Sequence, residues 1–371
     1  MANPYELWTT RKLLGVFRDT RPEDWAFADY FPNVFLSTDE WIDFEKLPVR
    51  SRQLAPLVKP GGRGHGVFTD KVKGYRFKPA NSVVEDAVDP LRPLTMQPGM
   101  DASMLHPEMN KLSPMQRLQL IKAAMVAEFQ DAMRRRWEWM RCRAISDGAV
   151  TLNYVDGQSV TVDFQRDAGN TITLTSGNRW GDSGVSIFDF FQLVIDTMTN
   201  ADFGGMPVRA EMGGNAAKIL RKDAEILEHM DVNIRGAVIT VDRGPVTGPG
   251  ARGNGKRFKF GEMQIGGASG ASIELWQNDE TYDVKNTTTG ALTKTRYIGT
   301  SDVIFTSTVD AIQGYSCFGM IVDKDAGYEA IPMFPKNFET GTRTKVENIS
   351  IESAPLFVPI NPNATLKATV A

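Results

Sequence analysis

The sequence predicts an α+β chain, and three patterns carry that expectation. A single apolar stripe at three- and four-residue steps runs through 114–146, the mark of one long helix. Period-two runs follow it, beginning with AVTLNYVDGQSVTVDF at Ala149, and strand-like runs return through the last third of the chain. Shorter helical patterns at 186–200 and 213–230 are interleaved with those strands, giving a second mixed unit before the return to strands.

A chain of 371 residues can build two or three compact units. Its formal net charge of -3 makes the whole molecule no evident polyanion binder. Cys142 and Cys317 are far apart and lie in unlike patterns, which argues against a disulfide framework and for a reducing compartment. The opening MANPYELWTTRKLLGVF lacks the continuous apolar core of a signal peptide. No window reaches the ~20 apolar residues of a membrane span. The best candidate, near 187–198, carries Asp189 and Asp196. The expectation is a cytosolic product with no membrane partner.

Taken in order, residues 1–48 are rich in aromatics (Trp8, Phe17, Trp25, Phe27, Tyr30, Phe31, Phe35, Trp41, Phe44) but broken by Pro4, Pro22, Pro32 and Pro48. Such a segment reads as an extended arm that buries its anchors against something else, a neighbouring chain or its own domain. Residues 51–59 and 67–78 then form two strand-like runs flanking Gly61, Gly62, Gly64 and Gly66, the pattern of a long hairpin. Its charge is one-sided: Arg50, Arg52, Lys59, Arg63, Lys71, Lys73, Arg76 and Lys78 face a single acid, Asp70. Flanking acids (Asp39, Glu40, Asp43, Glu45, Glu85, Asp86, Asp89) suit attachment between subunits by complementary charge. The rival reading is a nucleic-acid finger, with Tyr75 and Phe77 as stacking residues.

A proline- and methionine-rich connector leads to Ser113, a helix cap, and Pro114, which is tolerated at a first helical position. Leu118, Ile121, Met125, Phe129, Met133, Trp137, Met140 and Ala144 form the stripe, and Asp147-Gly148 ends it. Arg134, Arg135 and Arg136, with Arg141 and Arg143, make its last turns basic. This suits a helix C-terminus with a solvated face; the sharper alternative is a patch facing DNA. Asp156-Gly157 marks a hairpin turn, TITLT a third strand, 207–211 another, and GAVITVD, ASIELWQ, GTSDVIFTS and SCFGMIVD more.

Catalytic patterns fail on inspection. GPGARGNGK at 248–256 matches the spacing of a phosphate-binding loop, but Arg257 stands where Ser or Thr must hold magnesium, and RFKFGEMQIGG reads as strand rather than helix. His65, His106 and His229 have no neighbours at metal spacing. Cys317 lies in an apolar strand, and Asp323, Asp325 and Glu329 read as a surface turn rather than a cation site. No catalytic residue, cofactor or metal is expected.

The order of parts resembles the tailed-phage major capsid fold named after Hong Kong ninety-seven. The C-terminal third resembles the lambda major head protein family, through GTSDVIFTSTVDAIQGYSCFGMIVD and MFPKNFETGTRTKVENISIESAPLFVPINPNATLKATVA, with YSC at 315–317, PKNF at 335–338 and SAPLFVPINP at 353–362 most alike. The resemblance implies an N-terminal arm (1–48), an extended loop with its connector (49–100) and a peripheral domain (101–185) with spine helix 114–146. An axial domain (186–334) and a C-terminal strand return (335–371) complete the layout. It also implies hexamers and pentamers of an icosahedral shell enclosing double-stranded DNA without sequence-specific binding. The expected partners are copies of itself, a separate scaffolding protein and portal, and in some shells a decoration protein. The glycine-rich loop 244–255 has no counterpart in that pattern.

Overall fold

The long helix, Pro114–Ser146, organises the molecule. The computed structural model describes residues 25–39, 41–46, 73–88, 114–154, 157–223, 225–226, 256–265, 271–285, 291–341 and 346–371. At 33 residues the helix is about 50 Å long. Its first and middle turns bury Met125, Val126, Phe129 and Met133 against Ile349 and Ile351. Those isoleucines belong to an antiparallel sheet in the order Phe334–Thr340, Val346–Ser353, Ser82–Ala87. Its second half buries Met140, Ala144 and Ile145 with Val150, Leu152 and Val162 of the hairpin Ala149–Asn153/Ser159–Asp163, and with Phe357. Each such burial is worth about 1.5–3 kcal/mol, so packing of the stripe holds this helix more than propensity does.

The helix end is fixed by backbone geometry. Gly148 has φ +64°, and a Cβ there would lie 2.7 Å from Arg166 Cβ. Arg166 in turn donates to the Ile145 carbonyl at 3.0 Å and to Thr171 Oγ1 at 2.8 Å, fastening the helix end to the next sheet.

That sheet has six strands in the order Thr171–Thr173, Thr365–Thr369, Asp302–Thr306, Arg209–Met212, Ala271–Asn278, Arg257–Ile265. The first pair and the Arg209–Met212/Ala271–Asn278 pair are parallel, and the others are antiparallel. The helix Ile187–Asn200 covers it. Ser186 Oγ accepts from Asp189 N–H at 3.1 Å to start that helix, and its Phe190, Phe191, Val194 and Met198 share a core with Met212, Val303, Phe305 and Leu366.

Two expectations need correction. The helix expected over 213–230 runs only from Gly214 to Leu220, because Asp223 Oδ1 accepts the Ile226 N–H and starts a fresh turn; residues 227–230 lie outside the described residues. The strand in SCFGMIVD stops at Phe318 and gives way to a turn closed by a Met320–Ala330 bridge. The described partner of Lys73–Phe77 is Ile42–Lys46, while the expected partner 51–59 lies outside the described residues, as does GAVITVD at 236–242.

Of the two courses open to the aromatic arm, Phe27, Tyr30 and Phe31 take burial on their own chain, in the core shared by the long helix and Phe357. Gly314 permits this, since a Cβ there would stand 2.2 Å from the Tyr30 carbonyl oxygen. Immediately after them, Asn33–Leu36 pairs in parallel with Gly314–Phe318, whose other edge pairs antiparallel with Pro355–Pro359. All four residues of Asn33–Leu36 are exposed, Val34 at 62% and Leu36 at 52%. Trp8 and Phe17 lie outside the described residues.

Candidate assembly surfaces

Of the basic hairpin, Arg50, Arg52, Lys59, Arg63 and Lys71 lie outside the described residues. Lys73 sits at the end of its strand opposite Lys46, and Arg76 is in register with Asp43. Arg76 and Lys78 are exposed. A few residues on, Val83, Glu85, Asp86 and Ala87 stand exposed on Ser82–Ala87, an edge strand of the sheet beneath the long helix. A cationic foot and an acidic edge therefore occupy consecutive stretches of one chain.

The three consecutive arginines of the helix do not form one patch. Successive helical residues diverge by about 100°, and their environments differ accordingly. Arg134 is half-buried, 3.9 Å from Asp131; Arg135 is exposed; Arg136 lies 4.4 Å from the Trp139 ring centroid, and burial lowers its pKa. Arg143 pairs with Asp147 at 3.1 Å, and Asp147 also accepts from Lys367 at 2.9 Å.

Two buried ionic joints escaped the sequence reading. Glu138, 1% exposed, accepts the Phe27 N–H through Oε1 at 2.8 Å, with Arg141 Nη1 3.6 Å from Oε2. The Arg141 guanidinium also lies 4.5 Å from the Phe357 ring centroid. Glu211, wholly buried, takes Arg257 Nε at 3.1 Å and Asn278 Nδ2 at 3.1 Å, while Arg257 stacks 4.5 Å from the Trp276 ring. The clue for the first was a Glu between two Trp residues on an apolar helix face, with an Arg three residues on. For the second there was no local clue, since Glu211 and Arg257 belong to distant strands.

The chemistry-bearing candidates are disposed of one by one. Arg257 is locked in its ion pair, and Lys256 precedes a strand, donating to Thr281 Oγ1 at 2.9 Å; a phosphate loop needs a helix there. Burial pushes both cysteine thiols up, Cys317 to about 12, far from a reactive thiolate. Asp323 and Asp325 pair with Lys336 at 2.6 and 3.0 Å. Among the described residues no group of three or more His, Cys, Asp or Glu could hold a metal, and no helix is long and apolar enough to cross a membrane. The histidines lie outside the described residues.

This architecture defines a class. A long helix backed by one sheet and joined to a separate six-stranded α+β layer is the Hong Kong ninety-seven type of capsid fold. The fold is similar to that of a putative prophage capsid protein from Escherichia coli CFT073, at 17% identity and TM-score 0.67, covering 99% of this chain and 100% of that one. A phage-related protein from Bordetella bronchiseptica RB50 matches at 13% identity, TM-score 0.44, with 97% of each chain covered. The capsid protein of Myoviridae phage XM1 matches at 11% identity, TM-score 0.43, covering 95% of this chain and 94% of that one. No curated protein sequence matches the chain.

Residues 21–370 match the family model of phage major capsid protein E, and the chain belongs to that family. It is a major capsid protein of a tailed phage, a structural component of the virion that assembles into an oligomeric shell, and the family is not one of enzymes. The rival reading as a nucleic-acid-binding protein finds no support in that assignment.

Proposed function

We propose that the subunit builds hexamers and pentamers of an icosahedral head in the host cytoplasm, and that it does so by lapping its basic hairpin over the acidic edge of a neighbour. The single observation that carries this reading is the pairing of opposites on one chain. Arg76 and Lys78 are exposed at the foot of the hairpin, while Glu85 and Asp86 are exposed on the nearby edge strand. A surface that carries both halves of a complementary pair favours head-to-tail contact between identical copies, and such contacts form rings where the rotation between copies closes. In the proposed layout the unit 186–334 meets its copies at the ring centre and the unit 101–185, with the long helix, lies at the periphery. The arm (1–48) and loop (49–100) reach outward, and 335–371 returns to the core. Arg135 would face the enclosed DNA, with Arg134 and Arg136 contributing less. A separate scaffolding protein and a portal complete the assembly, with a decoration protein as an optional addition.

Negative-stain electron microscopy of the full chain, alone and with its scaffolding partner, tests this. Rings, tubes or closed shells are expected at low salt. Double reversal R76E/K78E should abolish them, and a further E85K/D86K reversal should restore part of the assembly. Rings unaffected by the first reversal would remove the hairpin from the interface, and a monomer under every condition would overturn the capsomer reading.

A further inference from the structure

Within seven positions, residues 25–31 touch the long helix, the six-stranded sheet and the strands Gly314–Phe318 and Pro355–Pro359. Phe27 N–H is held by Glu138 of the long helix. The Tyr30 hydroxyl shares a 2.7 Å hydrogen bond with Thr306 of the six-stranded sheet. The Phe31 carbonyl accepts from Ser316 Oγ at 3.0 Å, and its ring meets Phe357 edge-on at 5.7 Å. We propose that this segment is a clasp joining helix and sheet, and that its closure is controlled by protonation of Glu138.

The geometry singles out that carboxyl. Its Oε1 holds the clasp, whereas its buried Oε2 has no hydrogen-bond partner among the described atoms. A proton on Oε2 therefore breaks no hydrogen bond and gives up only the 3.6 Å ion pair with Arg141, while Oε1 still accepts the Phe27 N–H. Removal of that proton leaves a carboxylate out of water, with Arg141 the near cation. The other groups that face it are Arg257 and Glu280 from the strand side, and Cys142 and Tyr297, whose burial holds both neutral; Asp29 competes for Arg141. Burial outweighs Arg141 and Arg257 and pushes the carboxyl up to about 7.

The sign follows. Opening the clasp hydrates Glu138 and returns it to its ordinary acidity, so closure is favoured in full below the ordinary value, 4.5, and weakens as pH rises to about 7. Between about pH 5.5 and 8.5, the opening constant should rise on the order of tenfold or more. Glutamine keeps the acceptor and cannot ionise, so E138Q should remain closed throughout.

Hydrogen exchange of the assembled full-length chain measures this directly, after correction for the intrinsic pH dependence of amide exchange. The peptide spanning 25–31 should lose protection as pH rises, while Thr365–Thr369 in the six-stranded sheet should not. In E138Q the two should behave alike. If E138Q does not fold, the native profile alone decides, because flat or rising protection at 25–31 overturns the proposal. So does an E138Q profile that matches the native one.

Discussion

The two largest cores are built differently. Beneath the helix Ile187–Asn200, Phe191, Met212, Val303, Phe305 and Leu366 make a wholly apolar core, with rings such as Phe191 and Phe305 meeting edge-on at 5.4 Å. Around the end of the long helix, Phe27, Phe31, Met140 and Phe357 are equally buried, but Glu138, Arg141 and Tyr30 sit among them. An apolar core tolerates change of shape but not loss of volume. A core carrying directional polar joints specifies how its elements meet and is sensitive to loss of a single partner. The first region reads as a rigid body and the second as the seam between bodies.

Four variants probe that contrast and the exposed strand beside it. Phe305→Ala should cost about 3–5 kcal/mol of subunit stability in denaturant titrations, because the sheet around it cannot collapse into the space; a cost under about 1 kcal/mol would mean the core is not rigid. Glu211→Ala should cost about 3 kcal/mol by stranding Arg257 beside Trp276. The double change Glu211→Met with Arg257→Leu should recover most of that loss, and failure to recover it would assign the pair a role beyond charge balance. Smallest is Val34→Ser with Leu36→Ser, expected to shift subunit stability by no more than about 0.5 kcal/mol since both are exposed. If the same pair weakens assembly seen by microscopy, the exposed strand belongs to an interface rather than to the fold.

The sequence made local order legible and long-range pairing much less so. The stripe from Leu118 to Ala144 marked the long helix to its last turn, because amphipathic period and capping are properties of neighbouring residues. Asp156-Gly157 likewise located the Ala149–Asn153/Ser159–Asp163 hairpin. The strands Asn33–Leu36, Ser82–Ala87 and Phe334–Thr340 carried no alternation to read, and each owes its form to a partner far along the chain. The family resemblance was carried by the last third, yet the candidate surfaces lie elsewhere. Arg134, Arg135 and Arg136 looked like one basic cluster, and only the helix geometry showed three different environments.

Strand Thr365–Thr369 lies between Thr171–Thr173 and Asp302–Thr306, so a segment far along the chain seals the interior of a layer begun some two hundred residues earlier. On the ribosome, nothing emerging before residue 365 can complete that layer, and its long-range pairings close late. A nascent chain cut short therefore leaves Phe305 and Val303 facing an open edge. Such a product lacks the strand that joins the two edges of the layer, and topology alone separates it from a finished subunit.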